Sequence, residues 1–201
     1  WLIAILLAVW LLNLYNFMDG IDGLAGVEVV TVAAGAALLL LFANQPSAAA
    51  GPALLAAAGL GFLYWNWPPA RIFMGDVGSG FIGFVLAVLA LSGALNLWSW
   101  LILLGVFLVD ASYTLLRRLL RGERVYEAHR SHAYQRAARR YDGHRPVTVA
   151  VAVINVVWLW PWAFLAQRFP DLGLLMAVIA WMPLLLLAVI FGAGEREELP
   201  A

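Results

Sequence analysis

Four polar side chains recur at three-residue intervals near the start of the chain: Asn13, Asn16, Asp19 and Asp22. On a helix, this spacing places them along one side. Three glycines follow Asp19 closely; they would end the helix and expose backbone N–H groups that can bind a phosphate. Carboxylates beside a phosphate need a hard cation between them, and Mg²⁺ on one or two carboxylates is a common arrangement. Segment 13–26 is therefore a candidate phosphate and metal site, with a polar helix cap as the alternative.

A second polar segment, residues 66–79, contains one carboxylate, Asp76. Two consecutive prolines break the preceding helix, and a Gly-Asp-Val-Gly-Ser sequence opens the next one. Asp76 then lies at a helix N-terminus, where a carboxylate can serve simply as a cap. If the segment lies on the same face as Asp19 and Asp22, Asp76 is also a candidate metal ligand.

The third polar segment, residues 117–146, contains His129 and His132 with Arg130 between them. Histidine and arginine in this pattern suit the binding of a diphosphate through charge-assisted and bidentate hydrogen bonds. The other arginines are expected to anchor the chain at lipid headgroups. A zinc site would need more ligands than these histidines and the distant His144 offer, and nucleic-acid binding would need a larger soluble basic module.

The composition excludes a water-soluble globule. Of the 201 residues, 64% are hydrophobic and 12% are charged, and cysteine is absent, whereas an ordinary soluble domain is about 45–50% apolar and about 25% charged. The same values exclude disorder, a disulfide scaffold and a thiol nucleophile. The chain is therefore predicted to cross a membrane several times.

We predict an all-α polytopic transmembrane helical bundle, because a hydrocarbon core of about 30 Å requires about 20 apolar residues per helix. Long Ala- and Leu-rich runs without strand-like alternation favour helices over a β-barrel. By this criterion the chain has about seven candidate spans. They cover residues 1–14, 27–43, 52–65, 80–97, 98–116, 147–166 and 172–192.

The distribution of arginine predicts the orientation. All 12 basic residues are arginine, and nine of them lie between Arg117 and Arg145. Short loops rich in arginine stay in the cytoplasm. Counting crossings places the three polar segments on one side, so all three, together with the acidic tail 195–201, are expected at the cytoplasmic face.

The three segments together resemble the polyprenyl-phosphate N-acetylhexosamine-1-phosphate transferases, the glycosyltransferase 4 family. The sequences that carry the resemblance are NLYNFMDGIDGLA at 13–25, PARIFMGDVGS at 69–79 and HRSHAYQ at 129–135. The His-Arg-Ser-His sequence is most similar to members that start O-antigen (lipopolysaccharide) or exopolysaccharide synthesis. The resemblance covers essentially the whole chain.

The resemblance implies a reaction at the inner leaflet of the bacterial inner membrane. A UDP-N-acetylhexosamine gives its sugar 1-phosphate to undecaprenyl phosphate, yielding undecaprenyl-diphospho-sugar and UMP, with Mg²⁺ as cofactor and Mn²⁺ as an alternative. Such a phosphomonoester is largely ionised at neutral pH, so its attack needs charge neutralisation and positioning more than a strong base. The implied partners are these substrates and membrane lipids, without nucleic acid and with a homodimer left open.

The resemblance also assigns roles to individual residues. Asp76 is the principal Mg²⁺ ligand, Asp19 lies near the metal or phosphate as a base or ligand, and Asp22 supports it. Asp110 and Arg71 are weaker candidates for a role in the site. The expected substrate-binding residues are Asn13, Asn16, His129, Arg130 and His132.

One family motif is missing. Family members have a paired-aspartate motif on an earlier cytoplasmic loop and more spans, whereas the first adjacent acidic pair here is Glu197-Glu198. We therefore expect residues 1–201 to be a single transmembrane transferase domain, the C-terminal two-thirds of a longer enzyme, and to be inactive alone.

Two other functions remain as alternatives. A secondary transporter would use acidic groups and broken helices near the middle of the membrane, whereas the acidic residues here gather at one predicted membrane edge. A non-catalytic scaffold for polysaccharide assembly would need no ordered set of aspartates and histidines.

Overall fold

The computed structural model describes residues 2–124 and 129–196. Every regular element in these ranges is helical, which confirms the predicted all-α fold class. The elements are α1 (Leu2–Met18), α2 (Leu24–Phe42), α3 (Pro46–Asn66), α4 (Gly75–Leu91), α5 (Leu97–Leu103), α6 (Gly105–Leu120), α7 (Ala133–Arg140), α8 (His144–Val153), a π-helix (Ile154–Leu159), α9 (Trp160–Arg168), a 3-10 turn (Pro170–Leu172) and α10 (Gly173–Ile190).

The described residues contain four helices that are long and apolar enough to cross a membrane, or five if one bent pair counts as a single span. The four are α2, α3, the continuous helix His144–Arg168 and the helix Pro170–Ile190. The prediction of about seven spans was therefore too high, although each predicted region is helical.

Two of the predicted spans form helices of fewer than 18 described residues, and a polar segment sets one end of each. α1 and α4 each have 17 residues. α1 ends at Met18, directly before Asp19 and Gly20, and α4 begins at Gly75, after the proline-rich loop. Polar residues and glycine favour leaving the helix at these points.

The predicted span 98–116 is not one straight helix. α5 and α6 meet at Leu104 with a bend of 78°. A bend leaves the first backbone N–H groups of the second helix without partners in the preceding turn. Hydropathy averages over such a break, so the sequence pattern alone did not reveal it.

α2 lies at the centre of the bundle, with 78% of its apolar window buried. It packs along α3, and α1 packs along α4. Gly83 permits the second contact, because a Cβ atom built on this residue would lie 2.5 Å from the carbonyl oxygen of Leu11. Small residues at helix contacts allow such close backbone approach in membranes. The outer helices α3 and α10 leave most of their apolar side chains exposed, as contact with lipid requires.

Candidate functional site

The three polar segments meet at one end of the bundle. The end of α1 and the 19–23 loop contact the 66–74 loop, the start of α4, the start of α7 and the start of α8. Residues far apart in the chain therefore surround one polar region. Residues 125–128 of the third segment and the acidic pair 197–198 lie outside the described residues.

Asp22 connects these segments. Its Oδ2 accepts a hydrogen bond from the backbone N–H of Ala70 at 3.0 Å and lies 3.3 Å from Nδ1 of His144. Its carbonyl oxygen accepts from Thr148 Oγ1 at 2.8 Å. Asp22 therefore holds the first segment against the second segment and against α8.

Asn66 supports the same turn from the end of α3. Its side chain is buried; Oδ1 accepts from the N–H of Gly23 at 2.9 Å, and Nδ2 donates to the carbonyl of Ile72 at 2.8 Å. Gly23 has a φ of +77°, a conformation that glycine adopts without strain. The carboxamide thus fixes the turn that follows Asp22.

Asp19 and Asp76 lie close enough for the charge of Asp76 to act on Asp19. Partial burial, and then the charge of Asp76, raises the pKa of Asp19 from 3.8 to about 6. Asp76 is exposed in the first turn of α4. Neither carboxyl group has a hydrogen bond or ion pair with another described residue, so both are free to bind a ligand.

The two asparagines of the first segment differ in position. Asn16 Oδ1 accepts from Ser79 Oγ at 3.1 Å, which joins α1 to the start of α4 beside Asp76. Asn13 Nδ2 instead donates to the carbonyl of Val9 within its own helix at 2.7 Å. The structure therefore brings Asn16 to the site and engages the amide of Asn13 elsewhere.

Asp110 organises the third segment from within α6. It is 6% exposed, and its Oδ1 lies 3.2 Å from Nδ1 of His132. The same carboxylate accepts the backbone N–H groups of Ala133 at 2.9 Å and Tyr134 at 3.0 Å, the first two residues of α7. A carboxylate at a helix start satisfies unpaired N–H groups and interacts favourably with the helix dipole. Asp110 thus fixes both the ring of His132 and the helix that follows.

Three aromatic rings stack at the start of α7. The ring centroids of His129 and His132 are 4.8 Å apart, and those of His132 and Tyr134 are 5.7 Å apart. Tyr134 donates from its hydroxyl to the carbonyl of Phe17 at 3.1 Å, which brings the stack to the loop of Asp19. Burial, and then the charge of Asp110, raises the pKa of Tyr134, so this hydroxyl stays a donor. Arg130 lies beside the stack and is exposed.

The donor set fits a divalent cation that also binds phosphate. No group of three or more His, Cys, Asp or Glu side chains converges on a metal position within residues 2–124 and 129–196. Mg²⁺ is commonly held by only one or two carboxylates, with water and phosphate oxygens completing the shell. Asp19 and Asp76 fit that requirement.

A mostly apolar cavity of about 430 Å³ opens beside this polar region. Helices α6, α7, α8 and α10 form its walls, and Asp110 and Tyr134 line it together with Val151 and Leu184. The cavity therefore connects the third polar segment to the membrane-embedded part of the bundle.

The sequence interpretation missed or undervalued several of these contacts. His144 was set aside as distant, yet it contacts Asp22 across 122 positions of the chain. Asn66 received no role, and Arg71 is exposed and lies over the ring of Trp65 at 5.8 Å. Glu28 was also passed over: it lies fully buried inside α2, so not every acidic residue is at the membrane edge.

Comparisons with known proteins match this chain to one family model and to several named transferases. Residues 1–94 match the model of glycosyl transferase family 4. The chain is 30% identical over 168 residues to the "Probable undecaprenyl-phosphate N-acetylglucosaminyl 1-phosphate transferase" of Bacillus subtilis, with 79% of this chain and 47% of that protein covered. It is 38% identical over 129 residues to the phospho-N-acetylmuramoyl-pentapeptide-transferase of Synechococcus sp., with 58% and 36% covered. The chain thus spans about half or less of the length of these curated relatives.

Proposed function

The chain belongs to glycosyl transferase family 4, and on that premise we propose that its site transfers a sugar 1-phosphate to undecaprenyl phosphate. The donor is a UDP-N-acetylhexosamine, and the products are undecaprenyl-diphospho-sugar and UMP. The reaction is the first membrane step of a bacterial cell-envelope polysaccharide, of the O-antigen or exopolysaccharide type. The names of two relatives, which carry out phospho-sugar transfer, support this class of reaction.

The observation that carries the proposal is the position of Asp19 and Asp76. The two carboxyl groups interact with each other and lack partners among the described residues, at the end of the bundle where the histidine segment also arrives. Transfer between two phosphates creates no strong demand for a base, because the attacking phosphate oxygen is already ionised. It does demand neutralisation of negative charge and in-line positioning.

We assign the metal to Asp19 and Asp76. Mg²⁺, or alternatively Mn²⁺, would neutralise the phosphates at this point. Asn16 holds the start of α4 against α1 through Ser79, so it sets the separation of the two carboxylates. Asp22 keeps the connecting turn in place through Ala70 and Thr148.

The histidine segment binds the diphosphate of the donor. Asp110 holds Nδ1 of His132, which directs Nε2 of the same ring away from the carboxylate. His129 stacks on this ring, and exposed Arg130 supplies the planar guanidinium that suits two phosphate oxygens. Sugar selectivity depends on the shape of the surrounding pocket.

The acceptor reaches the site from the membrane. The apolar cavity beside Asp110 offers a surface for part of the prenyl chain, with its phosphate directed at the polar region. The arginine-rich third segment supports a cytoplasmic position for this end of the bundle in the bacterial inner membrane.

The test is release of UMP by the intact protein that carries this sequence. Purified protein in detergent receives Mg²⁺, undecaprenyl phosphate and a panel of UDP-amino sugars. We expect release that depends on the lipid, on the metal and on Asp76, and that is lost in Asp76→Asn. Asp171→Asn, an exposed carboxylate in the 3-10 turn near α10, is the matched control and keeps its activity. No release with any sugar from folded protein would overturn the proposal.

A further inference from the structure

A second polar cluster lies inside the bundle, within the helices themselves. Glu28 and Thr31 of α2 are 0% and 8% exposed, and Asn155 of the π-helix is 1% exposed. Asn155 Nδ2 donates to Glu28 Oε2 and to Thr31 Oγ1, both at 2.7 Å. A carboxyl group in a membrane-embedded helix is costly to bury and marks a functional position by default.

The orientation of the Asn155 amide is fixed by its partners. Its nitrogen has two protons, and both are used by the oxygens of Glu28 and Thr31. The hydroxyl of Thr31 is used as well, because it donates to the carbonyl of Val27 at 2.8 Å. While Glu28 is ionised and Thr31 donates to Val27, exchanging the amide oxygen and nitrogen would place an oxygen against two acceptors, so Asn155 Oδ1 points elsewhere.

Two acceptors of the cluster are left without a donor. Glu28 Oε1 and Asn155 Oδ1 are both buried and receive no hydrogen bond from a described residue. The backbone N–H of Phe107, at the start of α6 after the bend, interacts with the carboxyl group but makes no hydrogen bond to Oε1. What the cluster lacks is therefore positive charge or a proton, and not another acceptor.

Among the described residues, the surroundings of Glu28 supply no cation. Tyr15 of α1 is the titratable neighbour whose charge would interact with Glu28, and its hydroxyl already donates to the carbonyl of Ala25 at 2.7 Å. From α6 the neighbour is Phe107, and from the π-helix it is Asn155. No described arginine or histidine forms an ion pair with Glu28, so an ionised Glu28 would remain an uncompensated buried charge.

We propose that Glu28, Thr31 and Asn155 form a binding site for one monovalent cation, either a proton or Na⁺. One carboxylate balances one positive charge, whereas a divalent ion would leave an excess charge in the membrane interior. As a proton, the cation sits on Glu28 Oε1; as Na⁺, it is shared by Glu28 Oε1 and Asn155 Oδ1. Glu28 lies five residues after Gly23, about 8 Å along α2 from the polar end, which is a short path for a small ion.

This site is separate from the proposed transferase reaction, and its test needs no activity. Infrared spectroscopy of the intact protein detects the carbonyl stretch of a protonated carboxyl group in Na⁺-free buffer at neutral pH. The proton form gives a band that is missing in Glu28→Gln. The Na⁺ form instead gives a thermal unfolding midpoint that rises by at least about 3 °C in NaCl relative to choline chloride, a rise that Glu28→Gln abolishes.

Glu28→Gln is expected to fold, because its neutral amide keeps an oxygen that can accept from Asn155 Nδ2. If it does not fold, Asn155→Ala carries the test, since it should shift the carboxyl band or remove the Na⁺ effect. Ser99→Ala is the control: Ser99 is equally buried and hydrogen-bonded to Ala163, but outside this cluster, and should change neither signal. Absence of both a Glu28-dependent carboxyl band and a Na⁺-specific stabilisation would overturn the proposal.

Discussion

Asp110 and His132 are joined across the buried interface between α6 and the start of α7, with 3.2 Å between Oδ1 and Nδ1. The contact matters because the same carboxylate also accepts the first two N–H groups of α7. One side chain in a membrane-embedded helix therefore positions the whole histidine segment. The position of the histidine segment therefore depends on the bent helix that carries Asp110.

The first prediction concerns Asp110→Asn. The amide nitrogen cannot accept the backbone N–H groups, so one of them loses its partner at a cost of about 1–3 kcal/mol. If the histidine segment binds the diphosphate as proposed, the KM for the UDP-sugar should rise at least tenfold, because the rings are no longer held. Steady-state kinetics with varied donor and saturating lipid measure this change.

Asp142→Asn is the matched control for Asp110→Asn. Asp142 follows α7 and is exposed, so its substitution should leave the donor KM unchanged. An unchanged KM in Asp110→Asn would show that the histidine segment is positioned by other contacts.

The second prediction links pH to stability through Asp19. Burial and the charge of Asp76 raise the pKa of Asp19 from 3.8 to about 6, so the folded state binds this proton more tightly than the unfolded state. The stabilisation of the folded state by this proton is fully present below pH 3.8 and is lost as pH rises through about 6. Without divalent cations at pH 7.5, Asp19→Asn should therefore raise the unfolding midpoint by about 2–4 °C.

In Mg²⁺, the native protein should instead have a higher unfolding midpoint than Asp19→Asn. The cation would stabilise the ionised carboxylate of the native protein and cannot bind the amide equally well. Unfolding scans with EDTA and with Mg²⁺, from pH 4 to 8, compare the two proteins. Activity should be lost in Asp19→Asn under every condition. A variant that is less stable than the native protein in EDTA at pH 7.5 would contradict the description of Asp19 as a partly buried carboxyl group without a partner among the described residues.

The third prediction fills the apolar cavity. Ala150 of α8 lines the cavity and is exposed, so tryptophan can enter the space without displacing the core. If the prenyl chain of the acceptor uses this surface, Ala150→Trp should raise the KM for undecaprenyl phosphate about tenfold, equivalent to about 1.4 kcal/mol. The KM for the UDP-sugar should stay the same.

Val153→Trp tests whether bulk alone has this effect. Val153 lies on the same helix and is 52% exposed, but it does not line the cavity. Equal lipid KM values for the two tryptophan variants would show that the cavity does not bind the acceptor.

Asp19, Asp76 and His132 are conspicuous in such an apolar chain, and the structure brings their segments to one end of the bundle, while their roles stay predictions. The sequence could not predict the contacts that hold them. The partner of Asp22 is His144, whose position depends on how α8 returns to the bundle. The role of Asn66 depends on the turn at Gly23.

The number of spans was overestimated for a physical reason. Hydropathy reports how apolar a window is, and it is insensitive to where a helix ends or bends. α4 begins only after the proline-rich loop, and α5 and α6 diverge by 78° although both are apolar. Glu28 was missed by the same averaging, since a single carboxyl group barely alters a 19-residue apolar helix.

The last prediction tests whether helix packing sets the proposed metal site at Asp19 and Asp76. Asp19 directly follows α1 and Asp76 lies in the first turn of α4, and the two helices touch where a Cβ on Gly83 would meet Leu11. Gly83→Ala should force the helices apart, at a cost of about 1–3 kcal/mol in unfolding free energy. Because separation moves both carboxylates, Mg²⁺ should also become less effective in restoring activity, which a metal titration of UMP release measures.

Gly61→Ala is the control, since nothing lies within 4 Å of that position, and it should retain native metal dependence. If Gly83→Ala loses stability while its metal dependence stays native, the α1–α4 contact supports the fold without setting the distance between Asp19 and Asp76.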